Sequence, residues 1–270
     1  MTELKIFLWW VFVTFTAICL AFCIEARIRY RTKRGIDDDR GFDHHYEYFG
    51  QPIYDQAGKV YGYELLLRAF DPQQKRWYLP KDVVDFPLSR MVHAVSEIDP
   101  YITPTIRVLA LNMTVNQIND FRAEYFFKWA RGMIGDRQLS VELNAVDVCR
   151  ARFFQRRRMR AVLRQLDHAH IKVTIENVNS TKRMFKRLKS FLPVVDYLKF
   201  DVSTFNKSAD HWIDITLAQW QRRAQDYEVV PMVGKVEDPA QVQLADQLGI
   251  DLRQGYVYGR PDRVRTEESE

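Results

Sequence analysis

Cysteine is scarce in this chain: three in 270 residues, with no CxxC pair and no zinc-finger spacing. That excludes a disulfide framework, and the bulk of the chain reads as belonging to a reducing compartment. Net charge is low as well. Forty basic against 35 acidic residues give +5, too little by itself to argue for nucleic acid, and no specific nucleic-acid partner is predicted. No glycine-rich phosphate loop follows the first apolar strand of the body, which disfavours a doubly wound open sheet. Charge is missing altogether from Ile6 to Ile24.

Those nineteen residues, rich in Phe, Trp, Leu, Val and Ile, are long enough to cross a hydrocarbon core as a helix. Their apolar character on every face argues against a buried helix of a soluble protein. Arg27, Arg29, Arg31, Lys33 and Arg34 follow the stretch while Lys5 alone precedes it, so the positive-inside rule predicts a single-pass protein of the cell membrane with its C-terminal bulk in the cytoplasm. A cleaved signal peptide carries its charge first and ends in small residues, the opposite pattern. Leu20-Ala21-Phe22-Cys23 fits a lipoprotein cleavage site poorly, because Phe22 is bulky where a small residue belongs. The expected organisation is an anchor over residues 1–26, a charged juxtamembrane linker over 27–46, a large domain over 47–262 and a polar tail over 263–270. The linker contains Asp37-Asp38-Asp39 and the pair His44-His45, which reads as solvated rather than metal-binding.

At 47% apolar residues the chain can bury one sizeable α/β core. Apolar runs at 52–54, 61–67, 108–111, 139–143, 172–175, 197–200, 229–233 and 255–258 alternate with stretches of helical composition at 124–131, 152–166, 184–191, 212–225 and 239–247. Alternating strand and helix imply a parallel sheet with helices outside. Polar residues recur on or just after the apolar runs, at Glu64, Asn112, Glu142, Glu176, Asp201 and Gln254, about one βα unit or slightly more apart. Such groups are costly to bury unless they point into a shared polar site. A TIM-like (β/α) barrel with its site at the C-terminal strand ends is the economical architecture.

Seven segments carry a resemblance. Gln51-Pro52-Ile53, Gly62-Tyr63-Glu64-Leu65-Leu66-Leu67-Arg68, Leu111-Asn112-Met113-Thr114, Val141-Glu142-Leu143, Leu198-Lys199-Phe200-Asp201, Val236-Glu237-Asp238-Pro239-Ala240-Gln241 and Asp251-Leu252-Arg253-Gln254-Gly255-Tyr256 resemble, in order, the motifs of EAL domains. Members of that family are barrel-shaped phosphodiesterases that hydrolyse cyclic di-GMP with two divalent metal ions. The resemblance implies metal-site residues at Glu64, Asn112, Glu142, Glu176 and Asp201, the first three on the first metal, and a lysine that positions the attacking water at Lys199. It also implies substrate contacts at Arg68 and Gln254. A carboxylate and amide donor set suits Mg²⁺ or Mn²⁺.

Departures from the family fall together. Where the family has two consecutive aspartates, this chain has Glu176-Asn177, and where it reads Ala-Glu-Gly-Val-Glu, this chain reads Val233-Gly234-Lys235-Val236-Glu237. The loop 178–184 also lacks the family's glycines. Two carboxylates are thus absent, both on the second-metal side, so one Mg²⁺ or Mn²⁺ site is expected to survive and the second to be lost. Whether the chain is an enzyme stays open. The expected function is a degenerate, membrane-anchored EAL protein that acts as a cyclic di-GMP receptor or scaffold with little or no hydrolysis. The alternatives are an active metal-dependent phosphodiesterase and an interaction module that no longer binds nucleotide.

Simpler roles remain open for single residues. Glu64 suits a buried ion pair with Arg68 or Lys199, Asn112 a helix cap, and Lys199 with Asp201 a structural salt bridge. Outside the site, Arg150, Arg152, Arg156, Arg157, Arg158, Arg160 and Arg164, interleaved with Phe153 and Phe154, form the densest basic tract. It suits a protein partner or anionic lipid. A homodimer also stays open, although no residue pattern demonstrates one.

Overall fold

The computed structural model describes residues 2–31, 45–80, 86–98, 101–205 and 212–264, apart from the side chains of 28–31. Most of the linker, with Asp37-Asp38-Asp39 and His44, and nearly all of the tail lie outside the described residues.

Helix α1 (Thr2–Arg31) buries none of its apolar stretch: Phe7, Trp9, Phe12 and Phe15 are all exposed. It is long and apolar enough to cross a membrane, a test that an N-terminal signal sequence also passes.

The body begins with a hairpin, β1 (Tyr46–Tyr54) against β2 (Val60–Asp71), to which the short β3 (Arg76–Tyr78) adds at one edge. There follow in chain order α2 (Leu88–Ile98), β4 (Val108–Asn112), α3 (Val115–Asn119), α4 (Ala123–Met133), β5 (Gln138–Asn144), α5 (Ala145–Arg150), α6 (Phe153–Arg164), β6 (Ile171–Val178) and α7 (Lys182–Leu188). The chain continues through β7 (Tyr197–Asp201), α8 (Leu217–Gln225), β8 (Val230–Gly234), α9 (Pro239–Gln247), β9 (Leu252–Arg253) and β10 (Asp262–Arg263). Strands β2, β4, β5, β6, β7, β8 and β9 run parallel, and β1 pairs antiparallel with both β2 and β9. The result is a closed eight-strand TIM-like barrel with helices around it, as the sequence implied.

Strand alternation explains what faces where. Leu65, Leu109, Leu111, Val141, Leu143, Val173, Ile175, Leu198, Phe200 and Val233 belong to the large core between sheet and helices. Their neighbours one residue away point into the barrel. Ile53, Ala110, Met232 and Leu252 pack there as a small apolar plug, and the buried Ser140 and Thr174 hydroxyls hydrogen-bond each other at 2.7 Å. Glu64, Glu142 and Lys199 share this inward parity, toward the C-terminal mouth.

Helix starts are chemically marked. Thr114 and Thr216 form capping boxes with Gln117 and Gln219, Asp238 caps a helix that opens on Pro239, and Asn144 caps α5. Some expected boundaries shift. Residues 255–258 form a turn rather than a strand, and the last barrel strand is Leu252–Arg253. At Gly255 a Cβ would lie 2.1 Å from the Val236 carbonyl oxygen, so only glycine fits this close backbone crossing. The helix expected over 212–225 begins only at Leu217, after its Thr216 cap.

Candidate metal and ligand site

Lys199 is the hub of the mouth. Its side chain is only 6% exposed, and its Nζ donates to Glu64 Oε2 at 2.7 Å and to Glu142 Oε2 at 2.9 Å. Asn112, ending β4, donates its amide to Glu64 Oε1 at 2.7 Å, so Asn112 is no helix cap; Thr114 caps α3 instead. Glu176 completes the cluster: oxygens of Glu64, Glu142 and Glu176 lie within 4.8 Å of one another. Two of the expected site residues, Glu64 and Glu142, thus touch Lys199, and Asn112 and Glu176 join the cluster through them, although all come from strands far apart in sequence.

Three carboxylates around one ammonium leave negative charge in excess, and burial magnifies the imbalance. Burial, with repulsion from Glu64 and Glu176, pushes the Glu142 carboxyl up to about 8 despite Lys199. Burial raises Glu176 too. Glu64 goes the other way: burial opposes its ionisation, but the charge and hydrogen bonds of Lys199 and Asn112 hold it below the ordinary range. Burial disfavours the Lys199 ammonium as well, yet the three carboxylates together raise it, so this lysine stays charged.

The donor set of Glu64, Glu142, Glu176 and the Asn112 amide fits a hard divalent cation such as Mg²⁺ or Mn²⁺. An ion bound there must displace the proton that Glu142 keeps below about pH 8. Mn²⁺ affinity is therefore expected to rise with pH, by up to about tenfold per pH unit for one released proton, and to level off above about pH 8. Calorimetry in buffers of different ionisation enthalpy reads that proton directly; equal affinities at pH 6 and pH 8 would contradict it.

The other side of the mouth is built differently. Asp201 ends β7 one layer above Lys199, and its Oδ2 accepts from Lys235 Nζ at 2.6 Å while its Oδ1 accepts from the Ser203 hydroxyl at 2.5 Å. Lys199 and Asp201 therefore do not pair with each other. Asn177 sits where the β6–β7 register is interrupted, and both Asn177 (φ 55°) and Lys235 (φ 58°) adopt left-handed backbone that costs a side-chain-bearing residue energy. Gly234, opposite Asp201 in the β7–β8 ladder, offers no side chain.

Two hollows of about 350 and 310 Å³ open over this region and share Leu66 and Glu176. The first is walled by Glu64, Asn177, Lys199, Asp201, Lys235, Gln254 and Tyr256, the second by Arg68, Asn112, Asn144 and Asp147 among others. Arg68 is half-buried, donates to the Leu67 carbonyl at 2.9 Å and lies 5.9 Å from the Phe49 ring centroid, so it forms no ion pair with Glu64. Gln254 is buried in the first hollow, where its side-chain amide lies beside Glu64 and helps hold that carboxylate ionised. Neither Asn144 nor Asp147 was assigned a site role from the sequence. Their signal is spacing alone: Asn144 shares the inward parity of Glu142, and Asp147 follows one helical turn on. A larger hollow of about 1100 Å³ lies at the opposite end, around Lys59, Arg107 and Asp251, away from the carboxylate cluster.

Residues 43–261 match the family model described as the EAL domain. The chain belongs to the EAL domain family. Solved structures agree in fold. The Bacillus subtilis YkuI protein, with an EAL domain and in complex with cyclic di-GMP and calcium, is 16% identical at a TM-score of 0.67, over 88% of this chain and 60% of that one. The Xanthomonas citri FimX EAL domain, in complex with cyclic di-GMP, is 17% identical at a TM-score of 0.64, over 92% of this chain and 99% of that one. The PaMucR phosphodiesterase, also a cyclic di-GMP complex, is 17% identical at a TM-score of 0.61, over 88% and 96%. No curated protein matches the chain. In this EAL domain the motif Glu64-Leu65-Leu66 divides as β2 requires: Glu64 turns into the barrel while Leu65, 1% exposed, faces the helices.

Proposed function

We propose that this EAL domain is a membrane-tethered receptor for cyclic di-GMP that hydrolyses the nucleotide little or not at all. The observation that carries the reading is the Lys235–Asp201 ion pair at 2.6 Å. It puts an ammonium beside a carboxylate where Asn177 brings no charge and Gly234 no side chain. A divalent cation entering that side would meet a like charge already in place. The Glu64, Glu142 and Glu176 cluster, with Asn112, still offers one ion a site, where a bound ion would polarise a phosphoryl oxygen and acidify a water.

Support for the ligand comes from the cyclic di-GMP complexes among the structural neighbours and from cationic and donor groups around the paired hollows. Arg68 offers its guanidinium to a phosphate in one hollow, and Lys235 and Gln254 offer donors in the other. Tethering is supported by α1, and a cytoplasmic domain by the arginines that follow it, in keeping with the positive-inside rule. The organisation we propose is an anchor over 1–26, a linker over 27–46, the EAL domain over 47–262 and a short tail.

Calorimetry of the full-length protein in detergent micelles tests the reading. Saturable cyclic di-GMP binding is expected, weakened about tenfold or more by Arg68→Ala, because a charge-assisted phosphate contact is lost. No detectable heat, with or without Mn²⁺, would overturn it. Because the carboxylate cluster is retained, slow hydrolysis with a single ion is the second reading, and turnover measurements decide between them.

A further inference from the structure

Two phenylalanines open α6 with their rings in solvent: Phe153 is 68% exposed and Phe154 80%, packed edge to face on each other at 5.5 Å and on no core cluster. Apolar side chains held out in this way are unfavourable in water unless something covers them. Arg150, Arg152 and Arg157 stand exposed around them. Arg156 ties this corner to the next helix, donating to the Val148 carbonyl at 2.6 Å and to the Arg187 carbonyl while its guanidinium lies 4.9 Å from the Phe191 ring centroid. Through that link the exposed Arg183 and Arg187 of α7 extend the same surface. Across α5, α6 and α7 the only acidic residue is Asp147.

The surface sits at the mouth end of the barrel. Helices α3, α5 and α7 each start just beyond the C-terminal end of a strand, and α6 packs against α3 and is tied to α5 and α7. The tether arrives at the same end, because β1 runs opposite to the other strands: Tyr46 lies beside Ala69, near the C-terminal end of β2. Thirteen residues join Arg31 to His45, and a chain of that length spans at most about 45 Å.

We infer that the rim formed by Phe153, Phe154 and the arginines of α5 to α7 docks on the anionic surface of the bilayer that holds α1. The phenylalanines enter the interfacial region and the guanidinium groups pair with acidic headgroups. The inference rests on the anchoring of α1 and is independent of nucleotide binding.

The full-length protein reconstituted in nanodiscs tests it by hydrogen exchange. With phosphatidylglycerol present, peptides covering 150–158 are expected to exchange about threefold or more slowly than in pure phosphatidylcholine, and high salt should remove much of the difference. Phe153→Ser with Phe154→Ser should abolish it while α8, which serves as the folding control, keeps its exchange rate. Equal exchange in the two lipids would overturn the inference. So would the same protection in lipid-free micelles, which would point to a protein contact. Failure of the chain to enter nanodiscs at all would refute the anchor and the inference with it.

Discussion

Lys199→Met is expected to lower the thermal midpoint of the EAL domain more than any other single substitution in the mouth. Glu64, Glu142 and Glu176 would lose their shared buried cation, and breaking such a contact by removing one partner costs about 3–5 kcal/mol. For a domain of this size that is roughly 10 °C. The loss should depend on pH with a definite sign. Glu142 already has a raised carboxyl, pushed up to about 8 by burial, and removing the ammonium raises it further. A carboxyl whose folded value exceeds its unfolded one binds more protons when folded, so stability falls as pH climbs from the unfolded value toward the folded one. The deficit of the variant should therefore be smallest near pH 5, where its own carboxyls are protonated, and grow as pH climbs to 8 and beyond. Mn²⁺ should rescue it in part by supplying the missing positive charge. Thermal denaturation across that pH range is the measurement, and a midpoint at pH 8 within a degree or two of wild type would show that Lys199 is not the electrostatic keystone described.

The second large effect is a gain. Asn177→Asp, Gly234→Glu and Lys235→Gly together should raise Mn²⁺-dependent cleavage of cyclic di-GMP at least about a hundredfold over wild type, because paired-ion stabilisation of a phosphoryl transition state contributes several kcal/mol. The backbone should tolerate the changes. A Cβ at Gly234 would meet the Lys199 side chain at 3.4 Å, an ordinary contact, with the first hollow beyond it. Lys235 has φ 58°, where glycine is unstrained, and Asn177 has φ 55°, which aspartate also adopts. Removing Lys235 also frees Asp201 from its ion pair. A wild-type rate equal to that of the triple variant would mean that the lost carboxylates do not limit the chemistry.

Much of this arrangement was legible because a barrel strand leaves two independent marks, an apolar run and an inward polar residue near its end. Those marks picked out Glu64, Asn112, Glu142, Glu176, Asp201 and Gln254, which all lie around one mouth. Pairing was not legible. Lys199 and Asp201 share a face, but two residues along a strand separate them by roughly 7 Å, so Lys199 reaches down to Glu64 and Glu142 while Asp201 reaches out to Lys235. Periodicity also says nothing of very short helices. With five and six residues, α3 and α5 are below the length at which a repeat shows, and only their caps, Thr114 and Asn144, mark them. Helix α2 is a different case: buried Leu88, Met91, Val95 and Ile98 repeat at helical spacing, so its period is there to be read. The first half of β1 hides because Gly50 and Pro52 interrupt it and because its direction, opposite to every parallel strand, leaves no trace in composition.

That reversed strand gives the domain a single doorway. Phe49 lies opposite Arg263 and Gly50 opposite Asp262, with Arg263 held to Glu47 at 3.0 Å, so the polypeptide enters and leaves side by side on one edge of the barrel. A unit stitched in at one point can be hung from a longer chain or grafted into an exposed loop of another without stretching any segment across its body. A fluorophore attached after Val264 would consequently report the same corner of the barrel as one placed before Tyr46.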